Sequence, residues 1–374
     1  MKIALVGNSL FTLINFRENL IEKLILRGFK VVLFFPENIG PKYSHSFEKL
    51  RNMDVQFYTY NLSRKGLNPF KDLRTIIELY KLYKTQSIDI VLNYTVKPNI
   101  YSSISAHFAG VKKIYSNITG LGYAFTGDTF KQKIIKKIIC NLYCFSLKLN
   151  NKVFFQNTDD RDDFFNMDLI SKDKAVLING SGVDLEKIHL VNKNKIQQSF
   201  VFVGRLLKDK GIVEFIEAAK IVSARYPKSS FHIIGAIDDN PNSLDLKAIK
   251  SYEEEKIINY YGEVDEVKEL LEKFEVFVLP SYREGTPRST LEAMALNMPI
   301  ITTDVPGCRE TVVEEKNGFL VPLKNVRKLV ESIEFFLKNP DKIESYGMNS
   351  RELCEEKFDV IKVNNKIIDV ISER

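Results

Sequence analysis

The chain has little of what usually marks a structural metal, a disulfide scaffold or a membrane span. Of its 374 residues only 4 are cysteine. Cys140, Cys144, Cys308 and Cys354 lack paired metal-ligand spacing, which argues against zinc fingers and ribbons. Cys140 and Cys144 lie one helical turn apart and read as helix residues. The sparse thiols point to a reducing, cytoplasmic setting. No apolar run reaches the roughly 18 residues that cross a bilayer. Residues 1–7 form an apolar strand entering a polar loop, not a basic segment ahead of an apolar core, so no signal peptide is expected. There is no internal repeat and no low-complexity tract. Aromatic-rich RNA motifs and zinc-finger spacing are also missing, so nucleic acid is not an expected partner.

What is present is enough apolar sequence for two ordinary cores. Hydrophobic residues make up 44% of 43.1 kDa, and the length exceeds the roughly 100–200 residues of one domain. Cutting at 195 exposes an asymmetry hidden in the net charge of +6. Residues 1–195 hold 29 Lys/Arg against 17 Asp/Glu, and the remainder holds 25 against 31. A basic half beside an acidic half suggests that one domain faces an anionic surface.

The most informative stretch is 279–295. Val276–Leu279 reads as a buried strand, Pro280-Ser281 ends it, and a helix is expected at once, with Thr286 as N-cap and Pro287 at its first position. Glu284 then sits in the loop and Glu292 inside the helix. Eight helical positions correspond to about 12 Å, too far for a shared proton but suited to opposite ends of an extended ligand. The helix N-terminus between them favours a diphosphate. Taken alone, two such glutamates are more often solvated surface residues.

A second constellation lies some eighty residues upstream. Strand Phe200–Val203 runs into Gly204-Arg205-Leu206-Leu207-Lys208-Asp209-Lys210-Gly211 and then a helical pattern. Ligands of open α/β sheets bind beyond the carboxyl ends of strands, so Arg205 and Lys210 share a rim with Glu284. Arg offers a fork of donors and Lys a compact charge for phosphate. Lys208 reads as solvated.

Together these segments resemble the family 4 glycosyltransferases. The matching residues are the Gly-Arg-(four)-Lys-Gly loop at 204–211, Glu-Gly-x-Pro-(four)-Glu-Ala-Met-Ala from Glu284, and the runs 300–307 and 317–321. The resemblance implies an α/β GT-B fold, two Rossmann-like doubly wound parallel-sheet domains facing a central cleft. It further implies that Arg205 and Lys210 hold a donor diphosphate, Glu292 binds ribose hydroxyls and Glu284 contacts the transferred sugar. Gly204, Gly285, Thr286 and Pro287 line the same donor pocket. The matches at 62–70, 120–122 and 238–244 resemble bacterial enzymes that add N-acetylgalactosamine to undecaprenyl-diphosphate-linked sugars. Similar segments also occur in O-antigen and capsule enzymes.

The coarse pass predicts strands at 3–6, 31–35, 89–93, 113–115, 153–155 and 175–178, then at 200–203, 231–234, 256–259, 276–279 and 299–302, alternating with helices. Residues 192–198 read as the linker. The expected organisation is a first, acceptor- and membrane-facing domain at 1–195, a nucleotide-sugar domain at 196–355, and a terminal helix at 356–374 crossing back. A glycine-rich loop, 117–128, allows close backbone approach to a ligand. Family members often carry His-Gly near it, where this chain has Thr119-Gly120. With Gly122, Gly7 and Asn8 these form the expected acceptor or phosphate loops, although the double glycine common near residue 7 is missing. His107 reads as packing on its helix.

Residues 130–149 contain no acidic side chain. On a helical wheel Ile134, Ile135, Ile138, Ile139, Leu142 and Phe145 share one face and Lys133, Lys136 and Lys137 another. The pattern fits an interfacial helix attracted to anionic lipid and equally a core helix with solvated lysines. The implied activity is retaining transfer of a sugar, most simply an N-acetylhexosamine, from a UDP-sugar to a polyprenyl-diphosphate-linked saccharide. It would proceed at the inner face of the cell membrane, with no cofactor and, lacking a DxD-like motif at the site, no metal. A GT-B sugar-nucleotide epimerase, a transferase with a soluble acceptor and a non-catalytic nucleotide-binding subunit remain open at this level.

Overall fold

A computed structural model describes residues 1–36, 44–63, 66, 68–121, 130–188, 195–238, 240 and 242–373. Gly122 and 123–128, Arg64, Lys65, Leu67, Asp239, Pro241 and linker positions 192–194 lie outside the described residues.

Residues 1–181 carry strands β1 (Lys2–Val6), β2 (Lys30–Pro36), β3 (Gln56–Tyr60), β4 (Ile90–Tyr94), β5 (Lys113–Ile118), β6 (Lys152–Phe155) and β7 (Ala175–Leu177). Among them run helices α1 (Leu10–Leu26), α2 (Ser44–Asn52), α3 (Pro69–Gln86), α4 (Val96–Ala109), α5 (Phe130–Lys148) and α6 (Thr158–Asn166). The sheet is parallel in the order β3-β2-β1-β4-β5-β6-β7. Strands β1 and β2 are nearly continuous apolar runs, as expected where helices cover both faces. One face packs Leu13, Ile14 and Ile21 of α1 with Leu50 of α2. The other packs Leu79 and Tyr83 of α3, Ala106 of α4, and Tyr143 and Leu147 of α5.

The remaining chain forms β8 (Ser199–Val203), β9 (Ser230–Ile234), β10 (Asn259–Tyr260), β11 (Val276–Leu279), β12 (Ile300–Thr303) and β13 (Gly318–Val321). With them are α7 (Ile212–Arg225), α8 (Leu246–Glu254), α9 (Val267–Leu271), α10 (Arg288–Ala295), α11 (Val326–Lys338), α12 (Lys342–Lys357) and α13 (Val360–Ser372). This sheet is also parallel, in the order β10-β9-β8-β11-β12-β13, over one large core that includes Phe200, Phe215, Phe231, Phe277 and Ile301.

By contacts the chain divides into Met1–Ser181 with Ile361–Arg374, and Gly182–Val360. The division thus falls before the cut expected at 195. The reason is a backbone stitch within the second unit, where Val183 N–H donates to Phe358 O (2.8 Å) and Val360 N–H to Val183 O (3.0 Å). Helix α13 buries Val363, Ile367, Ile368 and Ile371 in the α1 side of the first unit.

Three strand expectations need correction. Lys256 has φ +58 and belongs to a turn, so the expected strand at 256–259 begins only at Asn259. Strands β3 and β13 were not expected. Sequence QFYTY at β3 interleaves polar and aromatic residues on an edge strand and lacks a continuous apolar run.

Candidate active site

In the second sheet β8 and β11 are neighbours from which the strand order runs in opposite directions. Loops leaving such a switch point open a crevice at the carboxyl ends of the strands. After β8, Gly204 N–H donates to Ile234 O at 3.0 Å, and a Cβ added at Gly235 would lie 1.9 Å from Gly204 O. Residues Lys208–Lys210 form one turn of 3-10 helix, which Gly211 closes with φ +76 before α7 begins. A side chain is excluded at Gly211, since its Cβ would approach Pro280 O to 2.0 Å. Tyr282 N–H donates to Asp209 O (2.9 Å), fastening the β11 loop to the β8 loop. On its other flank, Gly307 (φ +78) would place a Cβ 2.3 Å from Glu284 O, and Glu284 N–H donates to Pro306 O (3.1 Å). Two glycines therefore grip the segment that presents Glu284.

The side chains converge on that segment. Lys210 Nζ forms an ion pair with Glu284 Oε1, with both side chains largely shielded from solvent. Ser281, fully buried, donates from Oγ to the same carboxylate oxygen at 2.8 Å and has Asp209 O at 3.1 Å. Thr303 Oγ1 donates in turn to Ser281 O. Burial, with the Glu284 carboxylate close by, pushes the Cys308 thiol up to about 12, so it stays protonated. Tyr282 Oη donates to Glu214 Oε1 (2.7 Å), and Lys324 Nζ stands 4.8 Å above its ring. Burial and then the Glu214 partner raise the Tyr282 phenol.

Other expected residues lie elsewhere along the rim. Arg205 Nη1 donates to Asp238 Oδ2 at 2.7 Å, and its side chain is 60% exposed. Glu292 accepts from Arg288 Nε at 3.1 Å, one helical turn away. Thr286 is not the cap of α10. Its hydroxyl donates to Gly285 O (2.9 Å), Pro287 occupies the cap position with ψ 114, and no side-chain bond caps the helix. Ser289 Oγ donates to Val203 O (3.0 Å), pinning the first turn of α10 to the end of β8. The structure thus brings together Lys210 and Glu284, with Gly285 next to them, and gives Arg205 and Glu292 partners of their own. Ser281, Thr303, Cys308 and Asp238 were not singled out as site residues, although Ser281 lay inside the most informative stretch. An ammonium beside a carboxylate, near the start of a helix whose first turn no side chain caps, suits a ligand with a phosphate at one end and hydroxyls at the other.

In the first unit the expected loop residues lie at the carboxyl edge of the sheet. Gly7 O accepts from Tyr60 Oη (2.8 Å), Asn8 Oδ1 accepts from Thr12 Oγ1 (3.2 Å), and Ser9 caps α1 through Thr12 N–H. Thr119 and Gly120 follow β5, the latter with φ +124. Nearby, Tyr94 Oη and both side-chain polar atoms of Asn117 are buried without hydrogen-bond partners among the described residues. Tyr94 and Asn117 are direct register partners, and the Arg17 guanidinium lies 4.3 Å over the Tyr94 ring. His107 is exposed on α4, edge-on to Phe108.

The wheel reading of α5 needs correction. Ile139 is buried, while Ile135 and Leu142 are partly buried in the core. Ile134, Ile138 and Phe145 are exposed, on the same outward side as Lys133 and Lys137, whereas Lys136 is half-buried. Apolar and basic residues therefore share the outer face. Among the described residues no helix is long and apolar enough to cross a membrane, and no group of three or more His, Cys, Asp or Glu converges as a metal set would.

Comparison with known proteins agrees across both units. The model for glycosyl transferases group 1 matches residues 186–353, and that for glycosyl transferase 4-like domains matches 2–157. The chain is 28% identical over 352 residues to the N,N'-diacetylbacillosaminyl-diphospho-undecaprenol alpha-1,3-N-acetylgalactosaminyltransferase of Campylobacter jejuni, covering 91% of this chain and 90% of that one. It is 29% identical over 328 residues to the UDP-Gal:alpha-D-GlcNAc-diphosphoundecaprenol alpha-1,3-galactosyltransferase of Escherichia coli, covering 84% and 82%. The crystal structure of HepE from Anabaena in complex with UDP and glucose superposes with a TM-score of 0.79 at 14% identity over the full length of both chains. Sucrose-phosphate synthase from Thermosynechococcus elongatus gives 0.78 at 17% identity, covering 99% and 98%. These likenesses establish the GT-B fold.

Proposed function

The chain belongs to the family 4 glycosyltransferases, and on that premise we propose that it is a retaining, metal-independent enzyme. It moves an N-acetylhexosamine, with N-acetylgalactosamine the first candidate, from a UDP-sugar to an undecaprenyl-diphosphate-linked saccharide. Both relatives' reactions support the lipid-linked acceptor; the Campylobacter jejuni relative supports the choice of sugar, while the Escherichia coli one transfers galactose. One observation carries the reading: the Lys210–Glu284 pair held at the β8/β11 switch point between Gly211 and Gly307.

In the proposed reaction the bond from the anomeric carbon to the diphosphate oxygen breaks. A bond from the acceptor hydroxyl forms on the same face, and the acceptor proton passes to the departing phosphate oxygen. No protein base is needed. The main catalytic demand is neutralising charge that builds on the diphosphate. Lys210 exchanges Glu284 for a phosphate oxygen, which frees Glu284 for the hydroxyls of the transferred sugar. Arg205 leaves Asp238 to join it, at a cost of at most about 1 kcal/mol for so exposed a pair. The start of α10, with Gly204, Gly285, Thr286 and Pro287 around it, receives the diphosphate, and Glu292 takes the ribose. Gly7, Asn8, Thr119 and Gly120 serve the acceptor. The protein works peripherally at the inner face of the membrane.

The test is purified protein with a panel of UDP-sugars and polyprenyl-diphosphate saccharides, the anomeric configuration of product being read by NMR. Donor alone tests for epimerisation, and a free saccharide tests for a soluble acceptor. An inverted product refutes retention, an isomerised donor favours the epimerase, and turnover of only the free saccharide removes the lipid-linked acceptor.

A further inference from the structure

The first unit presents an apolar stripe that packing does not use. On α3, Phe70, Leu73, Ile77 and Tyr80 are 86%, 54%, 46% and 38% exposed. They stand at i, i+3, i+7 and i+10, along one flank of the helix. The sheet-facing side of the same helix is separate and well filled by Asp72, Thr75, Leu79 and Tyr83. The stripe runs about 15 Å along the axis at 1.5 Å per residue. Contiguous exposed apolar surface on a folded domain marks an interaction site more often than an accident of composition.

Neighbouring elements extend it. Helix α4 joins α3 through Tyr83 Oη···Ser102 Oγ (2.6 Å) and Lys97–Asp72 (3.0 Å), and α5 lies on the other side of α4. The exposed Phe108 of α4 and Ile134, Ile138 and Phe145 of α5 thus belong to the same helical layer.

The charge on α3, α4 and α5 is predominantly positive. The two acids of α3 are both engaged, Asp72 with Lys97 and Glu78 with Arg74. Lys71, Lys81 and Lys84 have no ion pair among the described residues, and α4 and α5 contain no Asp or Glu. A large apolar stripe bordered by uncompensated cations complements an anionic bilayer, with rings and aliphatic chains at the acyl boundary and ammonium groups at the phosphates.

We propose that α3 is the principal membrane anchor of this protein. Phe70, Leu73, Ile77 and Tyr80 enter the interfacial region of an anionic bilayer, and α5 assists through Ile134, Ile138, Lys133 and Lys137. The inference rests on the lipid-linked acceptor proposed above. It moves the main apolar contact away from α5, much of whose apolar face is committed to the core.

The experiment is co-sedimentation of the full chain with phosphatidylglycerol/phosphatidylethanolamine vesicles. It compares the native protein with a variant carrying Phe70→Ser, Leu73→Ser and Ile77→Ser, and with Lys71→Glu/Lys81→Glu. The expected result is a fall in partitioning of about tenfold or more for the triple variant, the scale of removing several large side chains from the acyl boundary. The charge variant should lose its preference for phosphatidylglycerol. Turnover on a short-chain, water-soluble acceptor and the urea midpoint should stay at native values. Unchanged partitioning in both variants overturns the proposal. So does an equal loss of turnover on the soluble acceptor, or a native dimer that the triple variant dissociates while vesicle binding persists. Phe70→Ser alone serves if the triple variant does not fold. The vesicle assay contains no substrate, so it decides this inference even where no acceptor of the panel is used.

Discussion

The two sheets meet the same topological situation, a reversal of strand order, and furnish it differently. At β8/β11 the loops are crowded backbone to backbone, with Gly211 against Pro280 and Gly307 against Glu284, and the side chains they present are charged and paired. At β1/β4 of the first unit the hydrogen bonds at Gly7 and Asn8 join neutral groups, and the charged Arg17 guanidinium lies over the Tyr94 ring. Tyr60 donates to Gly7 O, Ser9 caps α1, and the Tyr94 hydroxyl and the Asn117 side-chain amide are buried without hydrogen-bond partners among the described residues. The first arrangement fixes two charges in place before a ligand arrives, which is what transition-state stabilisation of a diphosphate requires. The second retains buried neutral donors and acceptors at a cost in stability.

The largest effect that would sharpen this contrast is on turnover. Lys210→Ala or Glu284→Ala should lower the transfer rate by about 10² to 10³ or more, as loss of a preorganised charge does. Thr119→Ala should cost under about tenfold, the scale of one neutral hydrogen bond. Parallel steady-state assays would break the comparison if the two sets fell together.

Next comes backbone crowding. Gly211→Ala and Gly307→Ala combine a left-handed φ with an approach to a carbonyl oxygen near 2 Å. Each should cost about 2–4 kcal/mol in urea unfolding. Gly28→Ala in the first unit has φ +82 but nothing within 4 Å, and should cost about 1 kcal/mol.

The third effect is acid sensitivity of the second unit. Burial lowers His232 to about 4, and it is held by Ser230 at 2.9 Å and Tyr261 at 3.2 Å. The unfolded chain takes up this proton near the ordinary value of 6.5, before the folded state does. Stability is therefore full above that pH and is lost as pH falls towards 4, by about 2 kcal/mol between pH 7 and 5. His232→Asn should flatten that limb in urea titrations at the two pH values. Smallest of all, Tyr94→Phe removes an unpaired buried hydroxyl and keeps a ring beneath Arg17. Its stability should be unchanged or raised by up to about 1 kcal/mol.

Legibility in the sequence follows the same division. The strands flanking the candidate site are continuous apolar runs, so the β8 and β11 loops could be located from pattern alone, whereas the need for glycine at 211 and 307 shows only in the structure. Apart from β7, the edge strands could not be located in this way. The polar QFYTY of β3 and the two-residue β10 carry no decisive period, and Lys256, placed in a strand, takes a left-handed turn. Side-chain partners were hidden by sequence distance, Asp238 being 33 residues from the Arg205 it binds and Glu284 74 from Lys210. Thr286 resembled a cap by type, but its hydroxyl turns back to Gly285 O. The apolar spacing of α5 was visible, whereas its division between core and outer face depends on where α4 and α6 lie.

Cys308 turns the tight closure of the Glu284 loop into something that can be timed. Its sulfur is sealed from solvent and kept in the unreactive thiol form, so a thiol-modifying dye can reach it only when this part of the second unit opens. The modification rate in Cys140→Ser/Cys144→Ser/Cys354→Ser protein would report how often that happens, and its slowing as UDP is added would measure occupancy without any assay of product.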